Sequence, residues 1–242
     1  MTLLLQGSTS RRILRAGERT SPCIPVRSVP RLPSIPSQSA VGRSAAILFI
    51  DLAGFTRVSE RVGLEGTHAM LAAFYRIVDS TVLDAGGKVL NYLGDGALIA
   101  FTGGSPREAA ARAVQTALAL VERVGDWIST QAECSAPAGV RIGAHLGDVL
   151  IAQLGDRARG SVTIIGDDVN VASRLLELAP GRGAAIVFSG ALLEAAGPVL
   201  PPAAKDHLGP GRLVPIRGRS RRLVVLLWSR PAIEPAGAIS RA

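Results

Sequence analysis

Six consecutive apolar residues, AAILFI at 45–50, lack the alternation of a half-buried strand and predict a central strand covered on both faces. Helical spacing takes over around 58–84, where Met70, Leu71, Phe74, Ile77, Val78 and Val82 recur on one face and Gly86-Gly87 ends the run. KVLNYL and ALIAF then flank a Gly-Asp-Gly turn, predicting a hairpin. Ser105, Pro106 and Glu108 form a capping box with proline at the first helical position. The helix they open is expected to reach about 124 through Val114, Ala117, Leu120 and Val121. Residues 139–155 read as two strands around a second Gly-Asp turn, and 161–166 as another strand. A helix over 167–179 is expected next, capped by Asp167 or Asp168, followed by short strands at 184–188, 212–217 and 223–228. The opening order of strand, helix, strand, strand, helix, strand is the ferredoxin-like βαββαβ core. It predicts a mixed α/β (α+β) fold with extra strands and helices at its C-terminal end.

Charge divides the chain more sharply than hydropathy does. The formal net charge of +8 comes from +6 over residues 1–43, +6 over 212–242 and −4 between them. The body is mildly acidic, so the basic ends read as solvated extensions rather than as a nucleic-acid surface. Aromatic residues, 4% of the chain, are also too few to supply stacking platforms. Residues 1–43, rich in Ser, Pro and Arg, are expected to be disordered, and so is the tail at 231–242. The body is placed at 44–230. Cys23 and Cys134 form no disulfide framework, and His68, His145 and His207 show no metal-ligand spacing. No apolar run approaches the roughly 20 residues of a membrane span, and the N-terminus does not resemble a signal peptide. A cytoplasmic protein is expected.

The chemistry starts at Asp51, which interrupts the apolar stretch ILFIDLAGF, since a buried charge needs a partner or a metal. A helix joins strand 45–50 to strand 88–93, so the two run parallel and end on the same edge of the sheet. Asp51 terminates the first and Asp95, in the 94–96 turn, terminates the second. Gly-Asp occurs five times and by itself marks only a turn, but two carboxylates meeting at one sheet edge suit a divalent cation. All-oxygen ligands select Mg²⁺ or Mn²⁺.

FIDLAGFT, NYLGDGALIAF, RIGAHLGDVLIAQLG and TIIGDDVNVASRL, in this order and spacing, closely resemble the class III nucleotide cyclase catalytic domain, the adenylate and guanylate cyclase family. The resemblance covers about 45–230. It implies the cyclase fold and two metal ions held by Asp51 and Asp95. The implied reaction forms 3′,5′-cyclic nucleotide and pyrophosphate by attack of the ribose 3′-hydroxyl on the α-phosphate. Asn170 and Arg174 match the family's N-x-x-x-R pair, which orients the ribose and binds the α-phosphate. Their i,i+4 spacing puts them on one helical face. Arg217 in PIRGRSR matches a basic residue that grips the β- and γ-phosphates, with Arg219 two positions away as the alternative.

Base recognition departs from the family pattern. Asn91 stands where adenylate cyclases commonly carry Lys and guanylate cyclases Glu. Thr163 matches the subgroup that includes bicarbonate-responsive adenylate cyclases. An Asn amide can serve either purine, and Thr163 favours adenine. The resemblance therefore implies an adenylate cyclase acting on ATP in signal transduction. A guanylate cyclase using GTP, or a catalytically weak binding and dimerisation module, is the alternative. Family sites lie between two domains, and one chain carrying both halves implies a two-fold homodimer.

Overall fold

The computed structural model describes residues 41–132, 136–154 and 161–229. The extension expected over 1–43 lies outside the described residues up to residue 40, as do the tail expected at 231–242, Cys23 and Cys134. Strand β1 (Val41–Ala53) extends the apolar run at both ends. It is followed by α1 (Phe55–Asp84), β2 (Lys88–Leu93), β3 (Gly96–Phe101), α2 (Pro106–Ser129) and β4 (Gly139–Leu154). After β5 (Ser161–Ile165) and α3 (Asp167–Leu178), a 3₁₀ turn (Pro180–Arg182) leads to β6 (Ile186–Ser189), α4 (Gly190–Ala196) and α5 (Pro202–Lys205). Two strands, β7 (Arg212–Val214) and β8 (Leu223–Trp228), close the described chain. The sheet order is β2-β3-β1-β4-β6-β8-β7, with β5 paired to the far end of β4.

The first four strands have the ferredoxin-like arrangement. β1 sits between β3 and β4, antiparallel to both. β2 runs parallel to β1 as expected, but β3 lies between them. Alternation along β1 builds two cores. Ala46, Leu48, Ile50 and Leu52 pack with Phe74 and Val78 of α1 and Leu120 of α2. Ala45 and Ile47 face the other way and cluster with Leu98, Val149, Ile164 and Ala172 of α3. A strand buried on both faces has no polar side to alternate with, which accounts for its unbroken hydrophobicity.

Three boundaries differ from expectation in ways that shape the site. Residues 139–154 form one continuous strand, and Gly147, placed opposite Ala45, is no turn. It is glycine because a β-carbon there would run into the Asp168 carboxylate. Helix α3 has Gly166 as its N-cap with no side-chain cap bond, so neither Asp167 nor Asp168 serves as the cap. The strand expected over 212–217 stops at Val214, leaving Arg217 in a turn. By contrast the capping box on α2 forms as expected. Ser105 Oγ accepts from the Glu108 amide at 3.2 Å, and Glu108 accepts from the Ser105 amide at 2.7 Å. Helix α2 runs on to Ser129, past the expected end.

Candidate active site

Asp51 is the last-but-two residue of β1 and lies opposite Gly96 on one side and Arg141 on the other. Gly96 leaves room for this approach, since a β-carbon there would stand 2.5 Å from the Ile50 carbonyl oxygen. The Leu52 amide donates to the Asp95 carbonyl at 3.1 Å, which ties the turn to the end of β1 and brings the two aspartates together. Arg141 donates through Nε to Asp51 Oδ1 at 3.0 Å. Burial pushes the Asp51 carboxyl up. The Arg141 guanidinium counters this only in part, and the Asp95 carboxylate adds to the rise.

The turn carrying Asp95 is braced from α1. The Tyr75 hydroxyl donates to the Gly94 carbonyl, and its ring lies 4.1 Å from that of Tyr92, whose hydroxyl donates to Asp79. Burial, with the Asp79 hydrogen bond behind it, raises the Tyr92 hydroxyl well above its ordinary value. The sequence reading did not single out Arg141, Tyr75 or Tyr92. Arg141 becomes visible only through strand register, ninety positions from its partner.

No group of three His, Cys, Asp or Glu side chains that could hold a metal ion is found among the described residues. The all-oxygen chemistry of two carboxylates nonetheless fits Mg²⁺ or Mn²⁺. Mg²⁺ in particular is commonly bound by one or two carboxylates, with water and substrate phosphate completing the shell.

The remaining candidates form a second group on β2, β5, α3 and the turn after β7. Leu90 and Ile164, the chain neighbours of Asn91 and Thr163, belong to one apolar cluster, so β2 and β5 approach each other. Arg174, on α3, lies beside Gly218, where a β-carbon would stand 3.1 Å from its Nη1. Arg217 precedes that glycine and is exposed. Among the described residues, Asn170, Arg174 and Arg217 make no side-chain hydrogen bond or ion pair. Arg219 differs: it bonds Asp167 at 2.6 Å and Asp168 at 2.5 Å. Of the two candidates Arg217 and Arg219, Arg217 is therefore the one without a partner among the described residues. No hydrogen bond or ion pair joins this group to Asp51 and Asp95 among the described residues. A cavity of about 450 Å³ between α2, α5 and β8 is lined by Leu118, Val121 and Trp228 and by none of the candidate residues.

The adenylate and guanylate cyclase catalytic domain matches residues 38–190, and the chain belongs to that family. It is 28% identical over 158 residues to adenylate cyclase 1 of Rhizobium meliloti, covering 64% of this chain and 24% of that protein. The chain thus spans about a quarter of that relative's length. Among solved structures it is similar to the adenylyl cyclase CyaB from P. aeruginosa, with TM-score 0.65 and 21% identity, covering 80% of this chain and 97% of that one. It is also similar to the guanylyl cyclase Cya2, with TM-score 0.67 and 24% identity, covering 78% and 93%. The architecture is thus shared with proteins named for either nucleobase. No helix among the described residues is long and apolar enough to cross a membrane.

Proposed function

We propose that this domain is an adenylate cyclase converting ATP to 3′,5′-cyclic AMP and pyrophosphate, as a homodimer with two divalent cations per site. The observation that carries the reading is the meeting of Asp51 and Asp95 across the β1–β3 register. When bound by these carboxylates, Mg²⁺ or Mn²⁺ would acidify the ribose 3′-hydroxyl and neutralise charge at the α-phosphate. The chain's own residues do the rest. Asn170 orients the ribose, Arg174 offers its guanidinium to the α-phosphate as negative charge builds, and Arg217 holds the departing β- and γ-phosphates. Because O3′ and the α-phosphorus belong to one molecule, positioning and charge stabilisation carry the catalysis.

Two features favour a shared site. No hydrogen bond or ion pair joins the phosphate and base residues to the metal carboxylates among the described residues. Exposed apolar side chains also flank the base residues: Leu93 on β2, Ile165 on β5 and Leu150 on β4. A second copy covering this face would join the metal half of one protomer to the nucleotide half of its partner.

Thr163 supports the choice of adenine. Its hydroxyl can accept from the adenine amino group. The neutral amide of Asn91 favours a second reading in which GTP is also turned over. The cytoplasm, where nucleoside triphosphates are held, is the compartment this activity requires. The test is to incubate purified protein with Mn²⁺ and either ATP or GTP and to identify the products by mass spectrometry. Cyclic AMP in excess over cyclic GMP is expected; formation of neither cyclic nucleotide overturns the cyclase reading, and cyclic GMP in excess overturns the choice of ATP.

A further inference from the structure

Asp168 is a charged group at the start of α3 that the proposed reaction does not use, yet it gathers more partners than any candidate ligand. Its Oδ2 accepts from the Asp148 amide of β4 at 2.7 Å. Its Oδ1 meets His145 Nε2 at 3.2 Å and accepts from Arg219 Nη2 at 2.5 Å. His145 is buried on β4 and its Nδ1 has no partner, so the neutral ring with the proton on Nε2 is the form that serves Asp168. Burial pushes the His145 imidazole down, and Asp168 offsets this only in part. Burial also pushes the Asp168 carboxyl up, but the Asp148 amide, His145 and Arg219 outweigh it and hold it below its ordinary value.

What this ties down is the turn after β7. The Arg219 amide donates to the Ile216 carbonyl at 3.0 Å, closing a four-residue turn whose third residue, Gly218, has φ of 81°. One end of the turn is fixed by Ile216, buried against Val171 and Leu175 of α3. The other end is fixed by Arg219, forked onto Asp167 and Asp168. Arg217 and Gly218 are suspended between these anchors, with Gly218 beside the Arg174 guanidinium. The same fork neutralises two carboxylates that would otherwise repel an anion approaching α3.

We propose that Asp168 is a positioning residue that, through Arg219, clamps the 216–219 turn onto α3 and so presents Arg174 and Arg217 as one polyphosphate-binding pair. This rests on the reading of those two arginines as phosphate ligands.

The test compares the full chain with Asp168→Asn, Arg219→Gln, the double variant and Arg219→Lys, all in the absence of nucleotide. Tripolyphosphate binding is followed by calorimetry and amide exchange by mass spectrometry, with thermal melts to confirm folding. Each single variant should weaken tripolyphosphate binding about ten-fold, the loss of one charge-assisted contact. The double variant should be no weaker than the worse single, because the two residues act as one unit. Arg219→Lys keeps the charge but not the fork and should fall between Arg219→Gln and the parent. Exchange should speed up over the 215–222 segment in Asp168→Asn. If binding losses add in the double variant, or if exchange there is unchanged in folded Asp168→Asn, the clamp is wrong. A parent chain that does not bind tripolyphosphate overturns the phosphate reading itself, whatever the exchange shows.

Discussion

At the scale of single residues, Asp51 sets function against stability. Its carboxyl is raised in the folded chain because burial outweighs Arg141. A raised acid contributes stability that is fully present below its unfolded value, about 3.9, and lost as pH rises through the folded one. At neutral pH the ionised group is therefore a net liability to the metal-free fold. Asp51→Asn should leave the melting temperature of the metal-free protein at pH 7 equal to or above the parent's, with the gap closing as pH falls toward 4. Asp51→Asn and Asp95→Asn should each lower turnover about a hundred-fold or more, the scale on which loss of one group facing developing charge is felt. Near-full activity in either variant would remove the two-cation assignment.

Residue 91 is the other single residue on which the proposed function turns. The Asn91 amide can turn its donor toward adenine N1 or its acceptor toward guanine N1–H, and it lacks the charge of Lys or Glu. Charge-assisted hydrogen bonds are about twice as strong as neutral ones. Asn91→Lys should therefore raise the ATP/GTP ratio of kcat/KM, and Asn91→Glu should lower it. An unchanged ratio in both would show that residue 91 does not read the base.

At the scale of elements, α2 is the helix whose start is most completely specified. Its capping box satisfies the Glu108 and Ser105 amides reciprocally, and Val114, Ala117, Leu120 and Val121 form the face it buries. Ser105→Ala should destabilise the fold by about 1 kcal/mol in denaturant melts. The backbone and hydroxyl of Ser105 hold the Glu108 carboxyl below its ordinary value. Its contribution is present above the unfolded value, near 4.3, and lost as pH falls through the lower folded one. Glu108→Gln should accordingly approach the parent's melting temperature under acid conditions and differ from it at neutral pH.

At the scale of the whole molecule, the proposed homodimer with a shared site predicts complementation. Asp51→Asn lacks the metal half and Arg174→Ala the phosphate half, so each homodimer should be inactive. Mixed and allowed to exchange, they form heterodimers in which one of two sites is intact, and part of the parent activity should return. A mixture that stays inactive after subunit exchange has been confirmed by mass spectrometry would exclude the shared site.

Local pattern by itself determined most of the elements, because helix and strand periodicity, glycine turns and the α2 cap act over a few neighbouring residues, although it split β4 in two and gave no bounds for α4 or α5. It also placed Asp51 and Asp95 at one sheet edge, since a helical crossover constrains the direction of the strands it joins. The four sequence blocks were enough to name the family that residues 38–190 match. Tertiary structure decided what those residues touch. Gly147-Asp148 has the look of a turn, yet the glycine is there to admit the Asp168 carboxylate of a helix some twenty residues on. Arg217 and Arg219 are indistinguishable as neighbouring cations until one is seen bonded to two aspartates about fifty positions earlier and the other left free. Arg141 is an ordinary strand residue until register sets it against Asp51. Such pairings depend on which strands become neighbours and how closely a helix approaches the sheet, and packing across the whole chain settles both.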